Sequence, residues 1–272
     1  MVTALVSTFT TLPFNQLRKN RYFYLQYDGF YLILCSAILG ALVVSGYQAP
    51  ITAWDHRYFL LVPVAIQLHI LCNVYVHNAC HRSFPRVLNR IVGELCGLVV
   101  IARFASWEVL HQRHHQYSDD VEKDPHPVGP KYWPFFFKSI AGIERQLQRT
   151  YFDLYGDTPE NRRFERIRAY VSYGTNVVLI AMWYRLLGPY AFFAFFVPAQ
   201  IVGWIHVMHF NWSTHNATAR SADYHPVNLN HGFFRVGNLL WHGIYFHANH
   251  HKKPALFNPM KMEPSLPITQ PE

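Results

Sequence analysis

Residues 58–81 read YFLLVPVAIQLHILCNVYVHNACH, with no Asp, Glu, Lys or Arg in the run. At about 1.5 Å per residue, a helix of this length crosses the roughly 30 Å hydrocarbon core of a bilayer. The run is not uniformly apolar. His69, Asn73, His77 and His81 recur at every fourth position, which stacks them on one side of a helix. Polar groups are costly against lipid, so this stripe must face protein or a cavity. The run reads as a membrane span that delivers imidazoles to one of its ends.

The rest of the 272-residue chain agrees with a membrane setting. It is 51% hydrophobic and 17% aromatic, and its charged residues make up 15%, against roughly 25% in an average soluble domain. Charge-free windows place four transmembrane helices at about 29–47, 58–80, 169–186 and 189–210. Leu187-Gly188-Pro189 makes a tight turn between the last two. The stretch 91–102 contains Glu94 and is too short to cross, so it lies on the surface or re-enters. No cleavable signal is expected, because the start lacks a basic segment ahead of an apolar one. The four cysteines, Cys35, Cys72, Cys80 and Cys96, have no C-x-x-C spacing and read as reduced packing residues.

Basic residues orient the spans. Arg18, Lys19 and Arg21 precede the first; Arg82, Arg86, Arg90 and Arg103, then Arg162, Arg163, Arg166 and Arg168, fill the long middle segment. The two short links carry only Arg57 and Arg185. The positive-inside rule therefore makes both termini and the middle segment cytoplasmic. It also accounts for the net charge of +8 without nucleic acid. The expected fold is all-α and multi-pass: one domain over 1–272, with two membrane hairpins and a cytosolic helical cap from about 82–168 and 211–272. On this topology the sequons at Asn211 and Asn216 face the cytosol and stay unmodified.

Histidine is the anomaly of the composition, with 17 residues against 16 carboxylates. HQRHH (111–115) and HANHH (247–251) share one spacing, which places His111, His114 and His115, and likewise His247, His250 and His251, on one helical face each. Asn211 lies four residues before His215 at the end of the last span. With His77 and His81, all of these reach the same membrane surface. Nine neutral nitrogen donors suit two transition metals at four or five ligands each. Iron is the natural choice for redox chemistry, and ligand type alone leaves zinc hydrolysis open. Glu108, Asp119, Asp120, Glu122 and Asp124 are candidates to orient the rings. His209 and His231 rival His215, His206 and His209 are candidates for supporting roles, and His56 and His225 read as surface or hydrogen-bonded residues. A histidine-rich metal transporter is a competing class, but transporters hold ligands near mid-membrane, whereas these clusters sit at span ends.

HRSF (81–84), HQRHHQYSDDVEKDPHP (111–127) and HANHH together resemble the integral-membrane fatty acid desaturase and hydroxylase family, over about residues 60 to 258. The resemblance implies a non-haem di-iron centre held by His77, His81, His111, His114, His115, His215, His247, His250 and His251. It is nearest in appearance to Δ9-type acyl desaturases. Asn211 would then hold a metal-bound water, and Glu108, Asp124 and His242 would stand around the ligands. The H-x-x-x-H first box and the run LLWHGIYFHANHH are similar to membrane alkane monooxygenases. Dioxygen-dependent desaturation of an acyl chain is thus expected, with hydroxylation as the alternative. No catalytic side chain is expected beyond the metal centre. His69, Asn73, Trp204 and Trp241 are candidate walls of a substrate tunnel. The acyl carrier is open between CoA, carrier protein and lipid. Arg103, Arg113, Lys252 and Lys253 are candidates to meet its phosphate or to lie near anionic lipid. The chain carries no haem, flavin or iron–sulfur motif, so electrons must come from a separate ferredoxin, rubredoxin or small cytochrome.

Overall fold

A proline in its first turn starts α1 (Pro13–Lys19), where a missing N–H removes nothing. The computed structural model describes residues 11–216 and 225–269. After α1 come α2 (Phe23–Val44), a 3₁₀ turn (His56–Leu61), α3 (Val62–Cys80), α4 (Arg86–Val99), α5 (Phe104–Tyr117) and α6 (Tyr132–Tyr155). Next are α7 (Pro159–Ala191), a π-helical turn (Phe192–Phe196), α8 (Val197–Asn216), α9 (Gly232–Leu240) and α10 (His247–Lys252). Among the described residues no strand forms; Asn228 makes two isolated bridges, to Phe246 and Ile268. The sequon at Asn216 extends outside the described residues. Asn211 is buried, with its side-chain amide donated to the Val207 carbonyl.

Three helical segments are long and apolar enough to cross a membrane: Phe23–Val44, His56–Cys80 and Pro159–His215. The third and fourth expected windows both fall within the last of these, a segment of 57 residues. That segment is broken at Gly188, where φ is 71° and ψ 168°. It also doubles back. Ser172 accepts from Arg103 at the start of α5, and His215 meets His114 near the end of the same 14-residue helix. A straight helix would hold residues 172 and 215 roughly 64 Å apart. The turn at Gly188 packs beside the loop after α2: Tyr47 donates to the Leu186 carbonyl, and a Cβ on Gly188 would lie 2.6 Å from that of Ala49.

The first span is shifted too. The sequence window began after Asp28 because a carboxylate broke the hydropathy, yet α2 starts at Phe23 and includes it. Asp28 is fully buried and pairs with the Arg103 guanidinium at 2.9 Å. A paired charge is tolerated inside a helix bundle where a lone one is not. Arg168 does the same for α7, held by Glu144 and by Glu165 at 2.8 Å.

Packing pairs α2 with α7 and α3 with α8, and α4 lies against α3. The aromatic face of α2 (Tyr24, Tyr27, Tyr31) joins Val109, Leu147 and Leu179 in one apolar core, and Ile70, Val74, Phe210 and Tyr245 build a second around α3 and α8. In α4, Val87, Leu88, Ile91 and Leu95 are exposed while Asn89, Arg90, Gly93 and Gly97 are buried. It is an amphipathic helix too short to cross. All four cysteines are free, as expected.

Candidate metal centre

The polar stripe of α3 ends at His77, inside the last turn, and His81, the residue that caps the helix. The last two turns of α5 present His111, His114 and His115, and the short α10 presents His247, His250 and His251. The last turn of α8 adds His215. These four helix ends converge and sort nine histidines into two groups. His77, His81, His111, His115 and His250 form a set of five; His114, His215, His247 and His251 form a set of four; within each set the candidate ligand atoms all lie within 4.8 Å of one another. Each of the two repeated motifs is thus split between both groups, and α5 and α10 lie across the pair.

Whether these nitrogens suit a metal is decided by where their protons are. His114 donates from Nδ1 to Asp124 at 3.0 Å, and His215 from Nδ1 to Asp119 at 3.1 Å. A neutral imidazole has one N–H, so both Nε2 atoms are left as bare lone pairs. They face each other at 3.2 Å. Two lone pairs at that distance repel unless a cation lies between or beside them. In the other set, His111 Nε2 is 2.7 Å from His81 Nε2 and 3.2 Å from that of His115, and His77 Nε2 is buried with no hydrogen-bond partner. The donor set fits two cations, and carboxylates behind two of the rings are the usual means of fixing a metal-binding tautomer.

Burial and the neighbouring rings push the imidazoles of His81, His111, His247, His250 and His251 well below their ordinary pKa, so they are neutral and able to ligate. Burial alone would raise the carboxyls of Asp124 and Asp119. Their histidine partners outweigh it and hold both below the usual carboxylate range.

A fatty acid desaturase family profile matches residues 52–257. The chain belongs to the fatty acid desaturase family. Two curated relatives are named sn-1 oleoyl-lipid 12-desaturase. The one from Picosynechococcus sp. is 34% identical over 93 residues, 30% of this chain and 27% of its own length. The one from Anabaena variabilis is 29% identical over 77 residues, 27% of this chain and 22% of its own length. The match thus spans about a quarter of each curated relative. No solved structure gives a significant match.

In this desaturase-family chain a cavity of about 430 Å³ reaches the set of five, with His77 and His111 in its wall. Asn73 and Trp204 also line it; His69 and Trp241 stand behind that wall. His69 bonds Gln200 through Nε2 and accepts from Asn73, and its ring fills the space a Cβ on Gly203 would need. Trp241 donates to Gln67 at 3.0 Å and packs on His206. Asn211 lines both the cavity and a small void shared with His114 and His215.

Other expected site residues lie elsewhere. The Glu108 carboxylate accepts the Phe14 amide at 2.6 Å and makes no hydrogen bond to a histidine. His242 stacks on Tyr75 and lies outside both ligand groups, as do His206, His209 and His231. Arg103 is spent on Asp28, and Arg113 pairs with Asp153 at 2.6 Å. The Arg103 side chain is 3% exposed and lies in the wall of the large cavity. One residue that sequence reasoning passed over is His126. It packs on His114 with ring centroids 4.7 Å apart, lines both the cavity and the small void, and burial brings its pKa down to about 3. Its signal was proximity to Asp124, two residues earlier in the same acidic loop.

Proposed function

We propose that the chain is a membrane-bound di-iron fatty acyl desaturase that places a double bond in an acyl chain. The observation that carries this reading is the division of nine imidazoles into sets of five and four, with His77 and His111 of the first set in the wall of a mostly apolar cavity, in a chain of the desaturase family. Overall, a CH₂–CH₂ unit, dioxygen, two electrons and two protons become CH=CH and two waters. Two bound irons would supply the dioxygen chemistry needed to take hydrogen from an unactivated methylene.

The chain's own residues position and exclude. Asp119 and Asp124 keep the proton on Nδ1 of His215 and His114, which points each Nε2 lone pair inward. Ile70, Val74, Val207 and Phe210 give the cavity its apolar wall, where each buried methylene contributes about 0.8 kcal/mol to binding. Water is displaced from that wall by the chain itself.

The membrane reading follows the same geometry. The loop after α2 and the turn at Gly188 lie together at one end, and the histidines lie at the other. With a return at Gly188 the three apolar segments make four crossings, and the arginine-rich side, with both termini, is cytoplasmic. Electrons come from a separate acidic redox protein.

The test is expression of the chain and of His250→Ala in a host whose lipids are profiled by mass spectrometry. The expected product is an acyl chain lighter by two hydrogens, absent from the variant, with about two irons per purified chain. A product heavier by one oxygen would replace desaturase by hydroxylase, and bound zinc without redox response would end the di-iron reading.

A further inference from the structure

The turn between α4 and α5 is pinned from inside the helix bundle. A helix leaves its last four carbonyls without partners of its own, and away from water each must be paired. For α4 these belong to Cys96, Gly97, Leu98 and Val99. Cys96 and Gly97 accept from the amides of Val100 and Ala102. Side chains of α7 and α8 take the other two: Trp183 donates to the Leu98 carbonyl at 3.0 Å and Gln200 to that of Val99 at 2.5 Å. Arg103, the residue before α5, is held by Asp28, Ser172 and Asn176.

Gln200 does more than close this turn. A carbonyl only accepts, so Gln200 gives its NH₂ to Val99 and leaves its Oε1 to His69, 3.0 Å from Nε2. His69 therefore carries its proton on Nε2, and its Nδ1 accepts from the Asn73 amide at 3.1 Å. The result is one directed chain of hydrogen bonds, from Asn73 to His69 to Gln200 to Val99. It ties α3 to α8 and to the turn that leads into α5. The same three helices carry His77 and His81, His215, and the HQRHH motif. The cavity lies between the tie and the histidines. Its first and last lining residues are Ile70 and His77 on α3, Ile101 and His111 on the turn and α5, and Trp204 and Asn211 on α8. The first of each pair lies within about one turn of His69, Val99 or Gln200. We propose that Gln200 is a positioning residue: it fixes the register of α3, α5 and α8 at the end of the cavity away from the histidines, and through that register the geometry of the two metal-binding sets. This rests on the metal-centre reading above. Gln200 belongs to neither set and does not line the cavity, so it acts through the helices it ties.

The test loads the purified full chain, in lipid nanodiscs, with cobalt(II). Imidazole nitrogens bind this ion, and its visible absorption reports the geometry of its ligands; no turnover is needed. Gln200→Leu removes both hydrogen bonds at similar volume. Its cobalt spectrum should shift, and competition with a chelator should show affinity lower by about tenfold, equivalent to about 1.4 kcal/mol. Gln200→Met, which keeps the length of the side chain, takes its place if the first variant fails to fold. Ile201→Ala, on the exposed side of the same helix, should keep the spectrum and affinity of the unaltered chain. A Gln200 variant with a lower unfolding temperature but an unchanged spectrum and affinity would overturn the inference, because Gln200 would then only stabilise the fold. An equal shift in Ile201→Ala would overturn it too. Failure of the unaltered chain to bind cobalt would instead sink the metal-centre reading.

Discussion

The centre is most sensitive at two carboxylates that touch no metal-facing atom. Asp124 and Asp119 hold the Nδ1 protons of His114 and His215. Asp124→Asn keeps the shape but offers an amide that can donate where an acceptor is required. Metal affinity should fall roughly 10–100-fold, as for other such partners, measured by competition with a chelator. His242→Ala is the control, because that ring lies outside both ligand groups; a drop in its metal content would contradict the assignment. Glu108 makes a separate prediction. Burial raises its carboxyl from 4.5 to about 7. Between those values the folded chain keeps a proton that the unfolded chain has released, so stability falls as pH rises through that window. Glu108→Gln still accepts the Phe14 amide and removes the ionisation. It should match wild type below about pH 4.5 and exceed it above about pH 7 by on the order of 3 kcal/mol. Unfolding temperatures of both proteins at about pH 5 and pH 8 check this; parallel shifts would show that Glu108 is not the group responsible.

Among the elements, the α7–α8 segment depends on one residue for its reversal. Gly188 sits at φ 71°, and a Cβ there would also strike Ala49. Gly188→Ala should cost roughly 1–3 kcal/mol from the backbone conformation alone, a region of positive φ and extended ψ that is essentially confined to glycine, seen as a lower unfolding temperature with metal content retained. Gly174, in the interior of α7, has no neighbour within 4 Å of its would-be Cβ. Gly174→Ala should therefore stabilise by about 0.5–1 kcal/mol. Equal behaviour of the two variants would mean that the turn is not strained. Gly203 answers to a different demand, the close approach of α8 to the His69 ring on α3, which holds the polar stripe against protein instead of lipid.

At the scale of the molecule, the proposed function calls for a redox partner, and the charge around the histidines predicts where it would dock. A surface depression lined by His81 and His115, both in the set of five, is bordered by Arg18 and Arg82, and Lys19 and Arg86 border the next one. All four cations are exposed. Arg113, by contrast, is paired with Asp153. Turnover with an acidic donor below saturation should fall as salt rises from about 0.05 to 0.5 M, because screening shortens from above 10 Å towards a few ångströms. Arg18→Glu with Arg86→Glu should weaken that dependence, and a flat profile in the unaltered chain would remove electrostatic docking. Topology is checked by reporters fused after residues 188 and 272, which should read opposite sides of the membrane.

The histidine spacing and the charge-free windows were local facts, so the sequence alone determined an all-helical fold, the apolar spans and the pool of candidate ligands. Periodicity places a side chain on a face of its own helix and says nothing of the face it meets. The division of nine rings into five and four therefore came only from the packing of α3, α5, α8 and α10. The same holds for the buried charges. Asp28 looked like the end of a span because hydropathy counts a carboxylate as exposed until its partner is known, and Arg103, 75 residues away, is that partner. Glu108 lay at helical spacing from His111 and His115, but the chain laid Phe14 over it first. His242 was near the third box in sequence and was turned toward Tyr75. In each case the deciding contact joins residues distant in the chain, and distance along the chain is the only separation that a sequence records.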